Sequence, residues 1–322
     1  MQRLILIFFI ASELCYYLLI AQTGVVEYFS SNLFLIAPLP IGGIIGSIVV
    51  SYIKINTKNK ISFFLIIQLI MSFLYPHFNI LTLFLLGFSI GSLAPLIINE
   101  IKKTSLLELG LALSLSYATG TILFNYEVAS RGIIAISLTT ITLIASRFLP
   151  RNEAINKSNQ EFALFMMVLW VFLDSTLFES LSRDITISIW RDGFTFQIVL
   201  FHIIGVFSAL FFKLEKNQKT LFILTLFALS YLFYFLRQGY FLSMIYPFVI
   251  SYYNVVILQT ISKKDFRTIT FYMILIGWIA SGAGLFVAIT NLILFVPIVL
   301  LAIILKIMIS EYKPNNKEIK YV

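Results

Sequence analysis

The sequence predicts an all-α integral membrane protein, with twelve transmembrane helices arranged as two parallel, pseudo-symmetric six-helix halves. Three observations predict it. Of the 322 residues 60% are hydrophobic and only 12% are charged, about half the share from which a soluble domain builds its polar shell. The apolar residues form long unbroken runs, without the alternation over about ten residues that marks a membrane barrel. Finally, 19 of the 23 lysines and arginines fall in every second junction between those runs, which fixes both the number of spans and their orientation.

A helix needs about 20 apolar residues to cross a hydrocarbon core of about 30 Å. Windows of this kind lie at about 3–22, 30–53, 61–79, 80–99, 105–124, 131–149, 161–181, 194–213, 220–236, 239–261, 268–289 and 291–310. The first begins after Arg3 like a signal peptide, but Glu13 interrupts the run and no small-residue cleavage site follows, so it is read as a span. The second carries Pro38 and Pro40. The third and fourth are parted by Pro76-His77-Phe78-Asn79, and the ninth and tenth by Arg237-Gln238-Gly239, both of them turn chemistry. In the fourth, Gly87, Gly91 and Pro95 suggest a bend. The organisation is therefore an N-terminal half over 1–149, a connector over 150–160, a C-terminal half over 161–310 and a tail over 311–322. No stretch is left for a soluble catalytic domain.

The net charge of +8 is explained by position. Every lysine lies in a segment on the side of the first residue, whereas the opposite segments hold only Arg131, Arg183, Arg191 and Arg237. Basic loops remain cytoplasmic, so the reading is a multi-pass protein of the cytoplasmic (inner) membrane with both ends inside. A basic surplus spent on orientation gives no motive for nucleic acid. The single cysteine, Cys15, and the two histidines show no ligand spacing, so neither a metal site nor any cofactor is expected.

The halves are related by one gapless offset of 161 residues. It places Lys102-Lys103 on Lys263-Lys264, Asn56 on Asn217, Lys58 on Lys219, Ser47 on Ser208, Tyr117 on Trp278, and Glu13 on Asp174. An even number of spans per repeat keeps the halves parallel. With six plus six spans, a central cytoplasmic connector, Gly42, Gly43 and Gly46 followed by Lys54, Lys58 and Lys60, and the small-residue run Gly110 to Gly120 in span five, the chain resembles the major facilitator superfamily. It departs from the family pattern in having no acid between spans two and three and no Gly-Pro signature in span five. The resemblance implies alternating access by rocking of two halves, with spans one, four, seven and ten lining a central cavity. It would set Glu13 and Asp174 facing each other across that cavity.

Ionisable groups inside apolar spans cost ~2.5–3.5 kcal/mol on insertion scales and default to function. The candidates away from the basic-face ends are Glu13 in span one, Asp174 and Glu179 in span seven, and His202 in span eight. A carboxylate in such a cavity can take up and release a proton, or hold a cationic solute; it can also serve packing alone. Glu179 precedes Arg183 by one turn, which equally suits an ion pair, and a lone histidine is often a packing residue. Tyr17, Tyr117 and Trp278 are expected at the substrate cavity, where aromatic faces beside acids suit an organic cation. Ala112, Ser116 and Gly120, and Gly277, Ser281, Gly282 and Gly284, form small-residue stripes that let helices approach closely.

These readings describe a secondary active transporter rather than an enzyme. It would be coupled to protons, since no phosphate-cradling Gly-rich loop with a lysine is present. A small organic solute, cationic or neutral, is favoured because no arginine lies within a span. Its partners would be that solute, protons and membrane lipid, and the chain would act as a monomer. A non-transporting membrane assembly factor or sensor, and a ten-helix drug or metabolite exporter, are the rival readings.

Overall fold

In the computed structural model, which describes residues 2–29, 33–150, 160–184 and 186–312, every regular element is helical. Most of the connector and the tail beyond residue 312 lie outside the described residues, and with them Arg151, Lys157, Lys313, Lys317 and Lys320. In chain order the helices are α1 (Gln2–Tyr28), α2 (Phe34–Tyr52), α3 (Thr57–Phe73), α4 (Ile80–Ile101), α5 (Leu106–Phe124) and α6 (Gly132–Ser146). They continue as α7 (Leu164–Arg183), α8 (Thr195–Phe211), α9 (Lys216–Phe235), α10 (Gly239–Ile261), α11 (Phe266–Ile289) and α12 (Leu292–Ile309). Among the described residues nine are long and apolar enough to cross a membrane, and α3, α6 and α8 are shorter. The chain is a multi-pass membrane protein.

The polar residues at the junctions start the helices. Asn79 and Thr82 satisfy each other's backbone N–H at the head of α4, and Ser105 with Glu108 does the same at α5. Asp265 accepts from the Thr268 N–H before α11. Each such pair supplies acceptors for N–H groups that have no partner inside the helix.

Helices α1 to α6 pack mainly on one another, as do α7 to α12. The principal contacts between the two sets are α5 on α8 and α11 on α2 and α4. About two thirds (67%) of both α1 and α10 is enclosed, and 61% of both α4 and α7, against 11% of α12. The most enclosed helices are thus the first, fourth, seventh and tenth. Large apolar side chains such as Phe34, Ile41, Phe63, Ile133, Phe196 and Phe295 point outward around the bundle, where lipid would cover them.

Two faces are defined by ionic contacts. On one, Arg3 donates to the Lys103 carbonyl at 2.6 Å and meets Glu108 at 3.3 Å; Lys58 donates to the Leu149 carbonyl at 3.1 Å. Lys264 meets Glu161 at 2.8 Å there and holds that carboxyl below its ordinary range. On the opposite face Glu27 pairs with Arg191, and Asp184 with Arg237.

Glycine sets the α2–α4 crossing. A Cβ on Gly42 would stand 2.1 Å from the Phe84 carbonyl oxygen, and one on Gly91 2.0 Å from that of Gly43. The Ser47 hydroxyl donates to the Gly91 carbonyl at 2.8 Å, and that of Ser92 to the Gly46 carbonyl at 3.0 Å. Gly87 and Gly91, expected at a bend, are therefore contact residues that let two backbones touch.

Arg131, read as an outer-end residue, is fully buried. It donates to the carbonyls of Tyr126, Phe124 and Leu19 at 3.1, 2.8 and 3.3 Å and to the Thr23 hydroxyl at 3.0 Å. It is thereby spent on closing the end of α1, whose hydrogen bonding widens to a π-helix over Tyr17–Val25. Arg131→Met would leave these acceptors buried without a donor, and is expected to cost about 3 kcal/mol. Thermal unfolding in detergent measures it.

Candidate functional site

A cavity of about 240 Å³ opens between α1, α4, α5, α7, α8, α10 and α11. Its wall is largely apolar, with leucine and isoleucine the commonest residues, and the titratable side chains among the lining residues are Glu13, Asp174, His202, Tyr17, Tyr117 and Tyr253, with no lysine or arginine. Its lining runs from Ile101 and Leu258, near the basic-face ends of α4 and α10, to Phe124 and Trp190 at the opposite face.

Asp174 occupies the wall on α7. Its Oδ1 accepts the Tyr246 hydroxyl at 2.8 Å and its Oδ2 the Tyr253 hydroxyl at 2.6 Å, both from α10. Seven residues make two helical turns, so the two tyrosines lie on one face of α10. Two hydroxyl donors orient the carboxylate without a cation, which leaves its charge available to the cavity.

Glu13 also lines the cavity, but its carboxylate is held from behind. Gln68 on α3 donates to Oε2 at 3.1 Å and to the Thr139 hydroxyl at 3.2 Å. Glu13 and Asp174 thus share one cavity, each tethered within its own set of helices.

His202 is buried on α8. Its Nδ1 lies 2.7 Å from the Ser251 hydroxyl, and its ring stacks on Tyr117 with centroids 4.4 Å apart and planes 2° from parallel. Asn254 donates to the Tyr117 hydroxyl at 2.9 Å. A polar strip therefore joins α5 to α8 and α10 across the cavity. Tyr17 lines it too, its hydroxyl 3.5 Å from the Gly277 carbonyl, where α11 widens to a π-helix over Ile274–Ala280. Widened turns of this kind often mark functional sites.

Two of the expected residues lie elsewhere. Glu179 is buried outside the cavity lining and meets Arg183 at 3.7 Å, the ion pair that its one-turn spacing allows. Trp278 is seated against Gly43, where a Cβ would come within 2.1 Å of the indole, so it fills the α2–α11 contact instead of lining the cavity. Conversely, Gln68, Tyr246, Asn254 and Trp190 belong to the site and were not expected there. Gln68 and Asn254 carried a signal, as amides inside apolar runs; Trp190, between spans, carried none. Among the described residues no cluster of three or more His, Cys, Asp or Glu could hold a metal.

This enclosed helical arrangement is the fold of the major facilitator transporters. Over 96% of this chain and 97% of the other, it is similar to the human organic anion transporter MFSD10 (TETRAN), at a TM-score of 0.63 and 11% identity. It is likewise similar to a variant of the E. coli fucose:proton symporter FucP, at a TM-score of 0.56 and 13% identity, over 96% of this chain and 97% of that one. The same transporter in its outward conformation gives 0.53 and 12%, over 94% and 97%. No protein-family model and no curated protein sequence matches the chain. The likeness lies in the fold, and it bears out the expectation of an all-α membrane protein with a fold like that of the major facilitator transporters.

Proposed function

We propose that the chain is a secondary active transporter with twelve spans in two six-helix halves, both ends cytoplasmic. It would move a small cationic or neutral organic solute in exchange for, or together with, protons. The observation that carries this reading is the acid-bearing, largely apolar cavity between α1, α4, α7 and α10, with Asp174 facing it and no lysine or arginine in its wall. A carboxylate there can bind a proton or a cation; an organic anion would meet only like charge. MFSD10 is described as an organic anion transporter and FucP as a fucose:proton symporter; an acid in the wall with no basic residue beside it favours a proton-coupled cationic or neutral solute here.

The packing of α1–α6 and of α7–α12 as separate sets supports the boundary between 149 and 161. The shorter α3, α6 and α8 complete the twelve spans, since each joins helices whose ends lie on opposite faces. Glu13 and Asp174 are the coupling acids, Tyr17 and Tyr117 contact solute, and His202 with Asn254 and Tyr117 forms the polar strip that solute displaces.

Purified protein in sealed vesicles, screened with cationic and sugar-like compounds under an internal pH readout, tests the reading. Solute movement accompanied by a pH change is expected. Glu13→Gln, which keeps an acceptor for Gln68, should insert normally yet lose the pH change; no movement of solute or protons by the wild type overturns the proposal.

A further inference from the structure

We propose that Trp190 is a gate over the cavity at the face opposite the basic one, latched by the Glu27–Arg191 ion pair. Its purpose rests on the transporter reading; its geometry does not.

Connecting segments normally run over a protein's surface. The one after α7 instead sinks into the bundle: Ile187, Ser188, Ile189 and Trp190 are each at most 5% exposed. The Trp190 ring lies between the two sets of helices. Its centroid is 5.5 Å from that of Phe124 at the end of α5, 5.0 Å from Phe178 on α7 and 6.2 Å from Tyr246 on α10. Trp190 also lines the cavity. The indole, packed on Phe124 and Phe178, therefore stands between the cavity and the opposite face, where solute in the cavity would meet its ring.

Besides its own backbone turns and Arg237, which pairs with Asp184 and donates to the Thr186 hydroxyl at 2.8 Å, three contacts hold the segment. Thr186 donates its backbone N–H to Asp184 at 2.9 Å, Ser188 donates its own to Asp192 at 3.0 Å, and Arg191 pairs with Glu27. The first two are local. Only the third reaches across to α1, so it is the ion pair that must break, together with the Trp190–Phe124 ring contact and the Asn125–Thr195 hydrogen bond at 3.5 Å, if the two sets of helices part at this face. Its side chains are 45% and 28% exposed, and a water-exposed ion pair is weak enough to break and re-form. A buried aromatic plug held by a weak, breakable pair is the combination that a reversible gate needs.

The test uses full-length Cys15→Ser protein with Thr121→Cys, a cavity position on α5 one turn before Phe124. Sealed vesicles of each orientation present a membrane-impermeant maleimide to one face at a time. Labelling is expected chiefly from the basic face. Glu27→Gln should raise labelling from the opposite face about fivefold, and Trp190→Ala at least about tenfold. Exchanging the charges, Glu27→Arg with Arg191→Glu, should return it to the starting rate. Unchanged opposite-face labelling in Glu27→Gln and Trp190→Ala overturns the gate, and raised labelling in the exchange variant overturns the latch. Glu27→Gln alters one partly exposed side chain, so it decides the matter even if Trp190→Ala does not fold. Because the readout is labelling, a chain that moved no solute would fail the vesicle assay and still give an answer here.

Discussion

Asp174→Asn is expected to abolish proton-coupled transport, by about 10²–10⁴-fold, while the protein remains folded and in the membrane. The reason lies in how the carboxylate is held. Its two oxygens accept one hydroxyl each, from Tyr246 and Tyr253. An asparagine keeps one acceptor and offers an N–H₂ to the other hydroxyl oxygen, so the α7–α10 contact survives the change. What is lost is the charge and the exchangeable proton. Tyr253→Phe should be milder, because Oδ1 keeps its donor and the acid itself remains. Glu179→Gln is the control: that acid sits outside the cavity against Arg183, and its loss should leave coupling near wild type. Uptake with internal pH readout, beside size-exclusion profiles of each variant, separates the cases. Wild-type coupling in Asp174→Asn would remove the coupling role from this residue.

The contrast between Asp174 and Glu179 marks what a sequence can and cannot disclose. Both are acids in one span, five residues apart, and burial cost alone flags both. Five residues make about 1.4 turns, so they project in different directions, and only packing shows which meets the cavity. Architecture was legible for a simpler reason: lipid demands long apolar runs, and insertion demands basic loops on one side, so composition records both. Trp278 illustrates the opposite case. Its match to Tyr117 under the 161-residue offset made it look like a cavity residue, but the hole made by Gly43 takes its indole, and no periodicity in α11 encodes a glycine on α2. Trp190 was invisible because a tryptophan between spans reads as an interfacial anchor. The structure buries it, and only there does its contact with Phe124 and Phe178 appear.

Gly91→Leu is expected to leave no recoverable folded protein. The added Cβ alone would lie 2.0 Å from the Gly43 carbonyl oxygen and 2.6 Å from its Cα. Backbone cannot turn aside as a side chain does, so α2 and α4 would have to part by about 1 Å or more before any further atom of the leucine is placed. Parting them breaks the bond from Ser47 to the Gly91 carbonyl and strains the one from Ser92 to Gly46. It also brings Gly42, Gly46 and Gly87 out of register with the carbonyls they now touch. In a bilayer such close packing is the main force between helices, because lipid tails solvate an apolar helix as well as another helix does. Even Gly91→Ala should cost about 3 kcal/mol, at the upper end for overpacking. Gly282→Ala on α11 is the matched control, because nothing lies within 4 Å of its added Cβ. It should melt within about a degree or two of wild type, since an unopposed methyl changes stability by only a few tenths of a kcal/mol. Detergent-solubilised yield and thermal unfolding compare the three. A Gly91→Leu protein that melts like the Gly282→Ala control would mean that the α2–α4 crossing is looser than its backbone contacts require.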